Sequence, residues 1–548
     1  MRKISPDVSI FEGAETDPRV ALIHPPAISK RYLKTKFMPY GMSVIYAFLK
    51  EHSVPVVQQD FLMEYLFNSP EDLDYHNPEK SFSEERFFSF LEGRESNPGW
   101  EAFVKKYASR MPDAGIYAFS IVAYHQFWAA LLLARHIRQF NPQAVIVFGG
   151  PFITIKPLES FVRFGMADYW VKGSGEVPLL MIHSLTMGRG EATRDQIPGL
   201  IYVSGDQICQ CAKSELPAEA ECAPDFEGLE LDDYRYDHPL TGEKTFFLPY
   251  RLSKGCPSRC SFCTGRLVDR YDYKSVDKVI RELSLLMDKY GTNNFQFADA
   301  SINGNPRQLS EICRRLSAEL PQIRWYSYAK VNGFNSELLR QVKQAGCFSL
   351  FWGVESGHQP TVKLLGKHFD VEEMYQLLDD AIAVGIKNYV HLIYNTPHES
   401  KETLDDFIRL VKRYVDSDLV VFLPQRFLLE PQSLMFDNPE NYGLSNVRQV
   451  RTPIFEREQY IFDEIQGFDH SQISERNDLH REMLASHLKL IQYSNILNSA
   501  GNGNLRRLVP GLLMQSWKMS QRFPVLARIH DALERLIQSR GTTIKEQL

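Results

Sequence analysis

The chain has 548 residues, 44% of them hydrophobic and 24% charged, which is enough for two or three domains with ample core. Its net charge of −6 gives no general reason to expect nucleic acid as a partner, and no apolar run approaches the roughly 20 residues of a membrane span. Its eight cysteines show no disulfide framework, and without an N-terminal signal segment the chain reads as cytoplasmic.

Residues 1–17 read as a polar tail. Over 18–185 strand and helix patterns then alternate. An apolar run at 19–23 stops at His24-Pro25-Pro26. A helix pattern over 43–52 and a strand over 54–60 follow. Residues 67–112 read as a polar insertion plus a helix. A buried strand at 115–120 precedes a strong helix at 127–140, with Trp128, Leu131, Leu132, Ala134 and Ile137 as its apolar positions. A strand at 144–148 ends in Gly149-Gly150-Pro151, and one at 169–171 ends in Gly173-Ser174-Gly175-Glu176. This alternation predicts an α/β, doubly wound parallel sheet. Such sheets bind ligands at their strand carboxyl ends. Here those ends offer Pro25, Pro26, Ser120, Gly149, Gly150, Pro151, Gly173, Gly175 and Glu176. Glycine there lets backbone approach a large ligand, although a tight turn is the commoner reason for it. Residues 186–245 read as a connector, with a hairpin at 197–208 and an acidic linker at 216–234.

From residue 246 a second alternation begins. Strands are expected at 245–251, 295–298, 324–329, 348–352, 386–393 and 419–423, with helices between them. The pattern over 246–450 fits a partial (β/α)6 barrel of the TIM type, in which active residues collect at strand carboxyl ends. Tyr326, Tyr328, His391 and Tyr394 lie on these strands or their ends and are candidates to give a hydrogen atom or proton. Pocket lining is the commoner role for such residues. Residues 451–548 turn helical, at 476–498, 505–521 and 525–540. Residues 501–548 carry eight Lys/Arg against three Asp/Glu, most simply a solvated helix face.

The first barrel strand leads into Cys256, Cys260 and Cys263, a C-x3-C-x2-C run. Thiolates clustered this tightly point to a metal centre. A zinc site closes with four ligands, and no other Cys or His lies between His238 and Cys313. Iron–sulfur carriers are normally closed by four cysteines, so three leave one iron open to a small molecule. Cys313 and Cys347 fall in apolar patterns and read as core.

This cysteine run resembles the signature of the radical S-adenosylmethionine (SAM) superfamily. The resemblance implies a [4Fe–4S] cluster held by the three cysteines, with the methionine part of SAM on the fourth iron. One electron, from a donor such as flavodoxin or ferredoxin, would then cleave SAM to a 5′-deoxyadenosyl radical. It places Phe262 near the adenine and implies SAM contacts from Asp299 and Ser301 after the second strand and from Gly353, Glu355 and Ser356 after the fourth. Residues 395–400 resemble the family's Gly-x-Pro-Gly-Glu-Thr loop. Asn395 and His398 replace its glycines, and asparagine tolerates left-handed backbone.

The order Pro25-Pro26, Pro39-Tyr40-Gly41, Gly149-Gly150-Pro151 and Gly173-Ser174-Gly175-Glu176 is similar to the Rossmann-like cobalamin-binding domain that precedes the radical SAM core in one subfamily. It covers about residues 18–185. The axial-histidine motif of other cobalamin domains is approached only at Asp74-Tyr75-His76-Asn77-Pro78-Glu79, which lacks its glycine and reads as coincidence. The implied function is a cobalamin-dependent radical SAM enzyme that methylates an unactivated carbon of a small molecule or peptide. A cobalamin-dependent cyclisation or rearrangement is the first alternative, and a non-enzymatic iron–sulfur carrier or sensor the second. No cysteine precedes Cys209, which disfavours the methylthiotransferase branch with its second cluster. The C-terminal addition is expected to cap the barrel and shape specificity.

Overall fold

The computed structural model describes residues 18–27, 37–63, 84–156, 162, 165–189, 193–237, 243–450, 459–465 and 467–499. The expected tail, the Asp74–Glu79 segment and the expected helices at 505–521 and 525–540 lie outside them. The chain divides into two compact units. One comprises the described residues up to Tyr234 together with 265–274. The other comprises those of 235–264, 275–450 and 459–499.

The first unit is built on a seven-stranded sheet. Its first five strands are Val20–His24, Val56–Asp60, Ile116–Ser120, Val145–Gly149 and Tyr169–Val171. They are parallel and ordered 2-1-3-4-5, the flavodoxin-like doubly wound order, whose switch point lies between strands 1 and 3. Strand alternation divides the core between two faces. Ala21, Ile23, Tyr117, Phe119, Ile146 and Phe148 pack with residues of the helices Glu84–Leu91, Pro98–Ala108 and Tyr124–Phe140. Val20, Leu22, Ile116, Ala118, Val145 and Val147 pack with residues of Tyr40–Glu51 and Glu176–Thr186. The polar insertion therefore contributes two helices to the core, one more than its sequence predicts. The hairpin expected inside the connector instead extends this sheet, as antiparallel strands Leu200–Ser204 and Gln207–Gln210.

At the carboxyl edge, the glycines answer to the protein's own backbone. Gly150 has φ +100°, and a Cβ there would stand 2.5 Å from the Ile121 carbonyl oxygen. Gly173 has φ +93°, with the Ser214 carbonyl oxygen 2.0 Å from its would-be Cβ. Close packing of neighbouring loops by itself requires glycine at both positions. Gly150→Ala is expected to cost about 3–5 kcal/mol, because forbidden φ and backbone overlap add. Urea unfolding checks this, and a loss under 1 kcal/mol would contradict it.

The second unit holds six parallel strands in sequential order: Leu248–Tyr250, Asn294–Phe297, Arg324–Ala329, Cys347–Glu355, Lys387–Tyr394 and Val420–Arg426. Amphipathic helices alternate with them. The first of these is capped by the Ser275 hydroxyl and stopped by Gly291 in the left-handed region. First and last strands are not paired with each other, so the sheet is an incompletely closed barrel. Beyond it the expectation of helix alone is corrected. Leu444–Val450 and Gln459–Glu464 form an antiparallel hairpin before the long helix His470–Ser499. Along Gln459–Glu464 the burial alternates only toward the end, where Phe462 and Glu464 turn inward, while the run Tyr460-Ile461-Phe462 gives the strand its apolar and aromatic content. No helix among the described residues is long and apolar enough to cross a membrane.

Candidate active site

The cysteine loop follows the first strand of the second unit and is fixed at three points. At its start, the buried Asp299 carboxylate accepts from Leu252 N (3.0 Å), Ser253 N (2.7 Å) and the Ser253 hydroxyl. Burial pushes this carboxyl up to about 6 against those hydrogen bonds. Gly255 then turns the chain at φ +67°. Mid-loop, Ser261 donates from its backbone to Leu365 O (3.0 Å) and from its hydroxyl to Leu364 O (2.8 Å), while Met435 N donates to Ser261 O (2.8 Å). Phe262 packs against the hydrophobic cluster that includes Leu365, Phe427 and Met435.

None of the eight cysteines forms a disulfide. Among the described residues no three His, Cys, Asp or Glu side chains gather tightly enough for a single metal ion; a cluster spreads its thiolates over a larger cage. Three soft thiolates on one anchored loop are the donor set of an iron–sulfur centre with one iron left open. Burial pushes the Cys260 thiol up, and the neighbouring Lys367 ammonium draws it down.

Lys367 is the residue sequence reasoning missed. Its Nζ lies 2.9 Å from Glu355 Oε1 and 3.0 Å from Gly353 O, and 5.8 Å from the Phe262 ring centre. Burial opposes the ammonium's charge, but Glu355 and Cys260 outweigh it and raise its pKa. Glu355 itself is buried and sits at φ +65° beside a break in strand register at Gly353. A non-glycine residue held there stores strain of the kind found at functional sites. Only the lysine's place beside Gly366, itself at φ +68°, signalled it in the sequence.

Below this pair, register stacks the barrel's inner side chains in layers. The lowest closes on aromatic rings: Tyr236 and Tyr326 share a hydrogen bond of 3.2 Å and pack with Phe247. Above it Tyr328, Phe351 and Tyr389 are register partners, and Phe351 and Tyr389 stack 4.3 Å apart. Burial pushes the Tyr389 hydroxyl up to about 12. Next come Gly353, His391 and Leu423, again partners. Burial lowers the His391 imidazole, keeping it neutral near pH 7.

The loop over 395–400 keeps its turns without glycine, since Asn395 and His398 both take φ +58°. The C-terminal hairpin and helix hold it. Glu464 accepts from His398 N (2.8 Å) and, in bidentate fashion, from Arg476 (2.9 and 3.0 Å). His480 bonds the buried Glu399 at 2.9 Å. Burial alone would raise the Glu464 carboxyl, but His398 and Arg476 outweigh it and hold it at about 2, while Glu464 raises His398. The carboxylate's contribution is present above its ordinary pKa of 4.5 and is lost as pH falls through about 2. The imidazolium's contribution is lost as pH rises through its raised value. Glu464→Gln is therefore expected to cost about 2–3 kcal/mol at pH 6 and little at pH 2. Thermal unfolding across that range checks it, and a cost independent of pH would contradict it.

Comparison with known proteins places this geometry. Residues 250–411 match the model of the radical SAM superfamily. They form a radical SAM domain. The chain is 26% identical over 298 residues to an uncharacterized methyltransferase of Pyrococcus horikoshii, covering 54% of this chain and 63% of that one. It is 27% identical over 277 residues to an anaerobic magnesium-protoporphyrin IX monomethyl ester cyclase of Cereibacter sphaeroides, covering 49% and 44%. The chain thus spans about half the length of these curated relatives. Its fold is similar to that of the radical SAM methyltransferase TsrM from Kitasatospora setae, solved with cobalamin and a [4Fe–4S] cluster, at a TM-score of 0.58 and 16% identity, covering 92% of this chain and 100% of that one. It is also similar to the cobalamin-dependent SAM radical enzyme OxsB, at a TM-score of 0.61 and 14% identity, covering 96% and 75%.

The radical SAM domain gathers Phe262, Gly353 and Glu355 around Lys367. Other expected SAM contacts are engaged locally. Asp299 holds the backbone of 252–253, Ser301 donates to Asn303 (3.0 Å), and the Ser356 hydroxyl accepts from His358 N (3.1 Å). Of the four candidate hydrogen or proton donors, Tyr328 and His391 share the inner face. Tyr326 lies in the closed floor, and strand alternation puts Tyr394 opposite His391.

In the first unit, His24 Nδ1 is locked to Asp60 (3.0 Å), which also accepts from the Tyr234 hydroxyl (2.6 Å). Gln126 ties the switch-point loops together, donating to Pro25 O (3.0 Å) and accepting from Val122 N and Ala123 N. Ser120, Gly149, Pro151 and Gly175 share this carboxyl edge, Glu176 and Pro26 are buried beside it, and Val122 is exposed on it.

Proposed function

We propose that the chain is a cobalamin-dependent radical SAM enzyme that methylates a carbon of a small molecule or peptide. The three-thiol loop locked beside the Lys367–Glu355 pair carries this reading. Cys256, Cys260 and Cys263 would hold the cluster. Lys367 and Glu355 set a cation and an anion side by side, matching the carboxylate and ammonium of SAM's methionine part. The loops after strands 1, 3 and 4 of the first unit, with exposed Val122, suit the flat face of a corrin.

Bound there, the cluster and corrin supply electron transfer and methyl carriage. The chain's own work is positioning and exclusion of water. The aromatic floor closes the barrel beneath the reacting centre, and the C-terminal hairpin and helix pin the 395–400 loop. A one-electron donor such as flavodoxin or ferredoxin completes the cycle.

The cyclase relatives favour a second reading, ring closure by the same residues. The two readings separate when the product of a reaction with methyl-deuterated SAM is weighed. A product carrying the deuterated methyl supports methylation, and an unlabelled cyclised product favours ring closure. Protein purified with cobalamin that retains no corrin absorbance overturns both.

A further inference from the structure

We propose that His391 is the hydrogen-bond partner of the substrate, and that the part it grips is a flat conjugated ring lying against Tyr328. Barrel interiors are ordinarily filled by branched aliphatic side chains. Here the layer beneath His391 is Tyr328, Phe351 and Tyr389. Tyr328 keeps 40% of its surface exposed although it lies mid-strand on the inner face, so a ring-sized surface is left uncovered. The His391 ring is tilted 31° to the Tyr328 ring, with centroids 5.9 Å apart.

His391 Nε2 is buried and has no hydrogen-bond partner among the described residues. A buried polar atom without a partner is costly and calls for one, which a ligand group at this face would supply. The charged neighbours do not claim this nitrogen, because Lys367 and Glu355 face each other at 2.9 Å. Across the register from His391 stands Gly353, which projects no side chain. An aromatic face and one uncharged hydrogen-bonding nitrogen together select a neutral, planar heteroaromatic group. An aliphatic chain would leave the nitrogen unmatched, and a charged substrate group would find Lys367 and Glu355 already paired with each other.

The inference rests on the inner face being the substrate's side of the radical site, yet its test needs neither SAM nor corrin. Cluster-reconstituted full-length protein is titrated with indole, a hydrogen-bond donor, quinoline, an acceptor, and naphthalene, which is neither, by ligand-observed NMR. One heteroaromatic is expected to bind about threefold to tenfold more tightly than naphthalene. His391→Phe removes that preference while naphthalene still binds, and His391→Leu repeats the result with a smaller side chain. Tyr328→Ala weakens all three by about threefold to tenfold. Equal binding of the three probes, a preference that survives both His391 variants, or no binding at all overturns the proposal. Any of these outcomes leaves the radical SAM reading standing, and absence of SAM cleavage would leave a positive fragment result intact.

Discussion

Gly366→Val will strip the protein of its iron while leaving most of its fold. Gly366 sits at φ +68°, and a Cβ there would stand 3.0 Å from Arg259 O, 3.0 Å from Ser261 N and 3.3 Å from Cys260 Cα. All three are backbone atoms of the cysteine loop and cannot swing aside. A β-branched residue is an outlier at such a φ, so strain and overlap together cost about 3–4 kcal/mol locally. The cheapest relief is to push the loop outward. That breaks the bonds from Ser261 to Leu364 and Leu365 and spreads the thiols. Anaerobic reconstitution should then give under about one iron per chain instead of about four, with the circular dichroism spectrum unchanged. Full iron retention would show that the loop tolerates the side chain and that its approach to Gly366 is not what holds it.

Lys367→Met should be the most destabilising conservative change at the site. It keeps the length of the side chain and removes the cation opposite a carboxylate that is only 8% exposed. Breaking one half of a buried pair costs about 3–5 kcal/mol, whereas replacing both halves by apolar groups is often near neutral. Glu355 is doubly exposed to this loss, because its left-handed backbone is held in place partly by the lysine. The double variant Lys367→Met/Glu355→Leu should therefore recover most of the stability in urea unfolding. Equal losses in the single and double variants would mean that the pair is solvated and that Lys367 serves only as packing.

Much of the architecture was legible because strands and helices carried their own punctuation. All six barrel strands overlap the segments expected for them, and Ser275 caps the first barrel helix, with Asn305 and Asn335 doing the same for two later ones. The cysteine run lies inside the segment that matches the radical SAM model. Side-chain destinations were less legible. Asp299 reads as a ligand residue, and its clasp on Leu252 and Ser253 is not foreseeable from the sequence. Gly150 and Gly173 read first as turn glycines, and each lies against neighbouring backbone, at Ile121 and Ser214. Lys367 gave little sign beyond its glycine neighbour, because its partner Glu355 lies beside a register break at Gly353 that no local pattern encodes. His398 shows the opposite case. It stands where the family loop has a glycine, yet it takes the left-handed turn and gains Glu464 and Tyr442 as partners.

The decisive measurement is SAM cleavage by the reconstituted protein under anaerobic, reducing conditions. Wild type should form 5′-deoxyadenosine, and Cys260→Ala, which removes one of three thiolates, should form none. No 5′-deoxyadenosine from wild type carrying a full cluster, or equal amounts from wild type and Cys260→Ala, would contradict the assignment of Cys256, Cys260 and Cys263 to a SAM-cleaving centre.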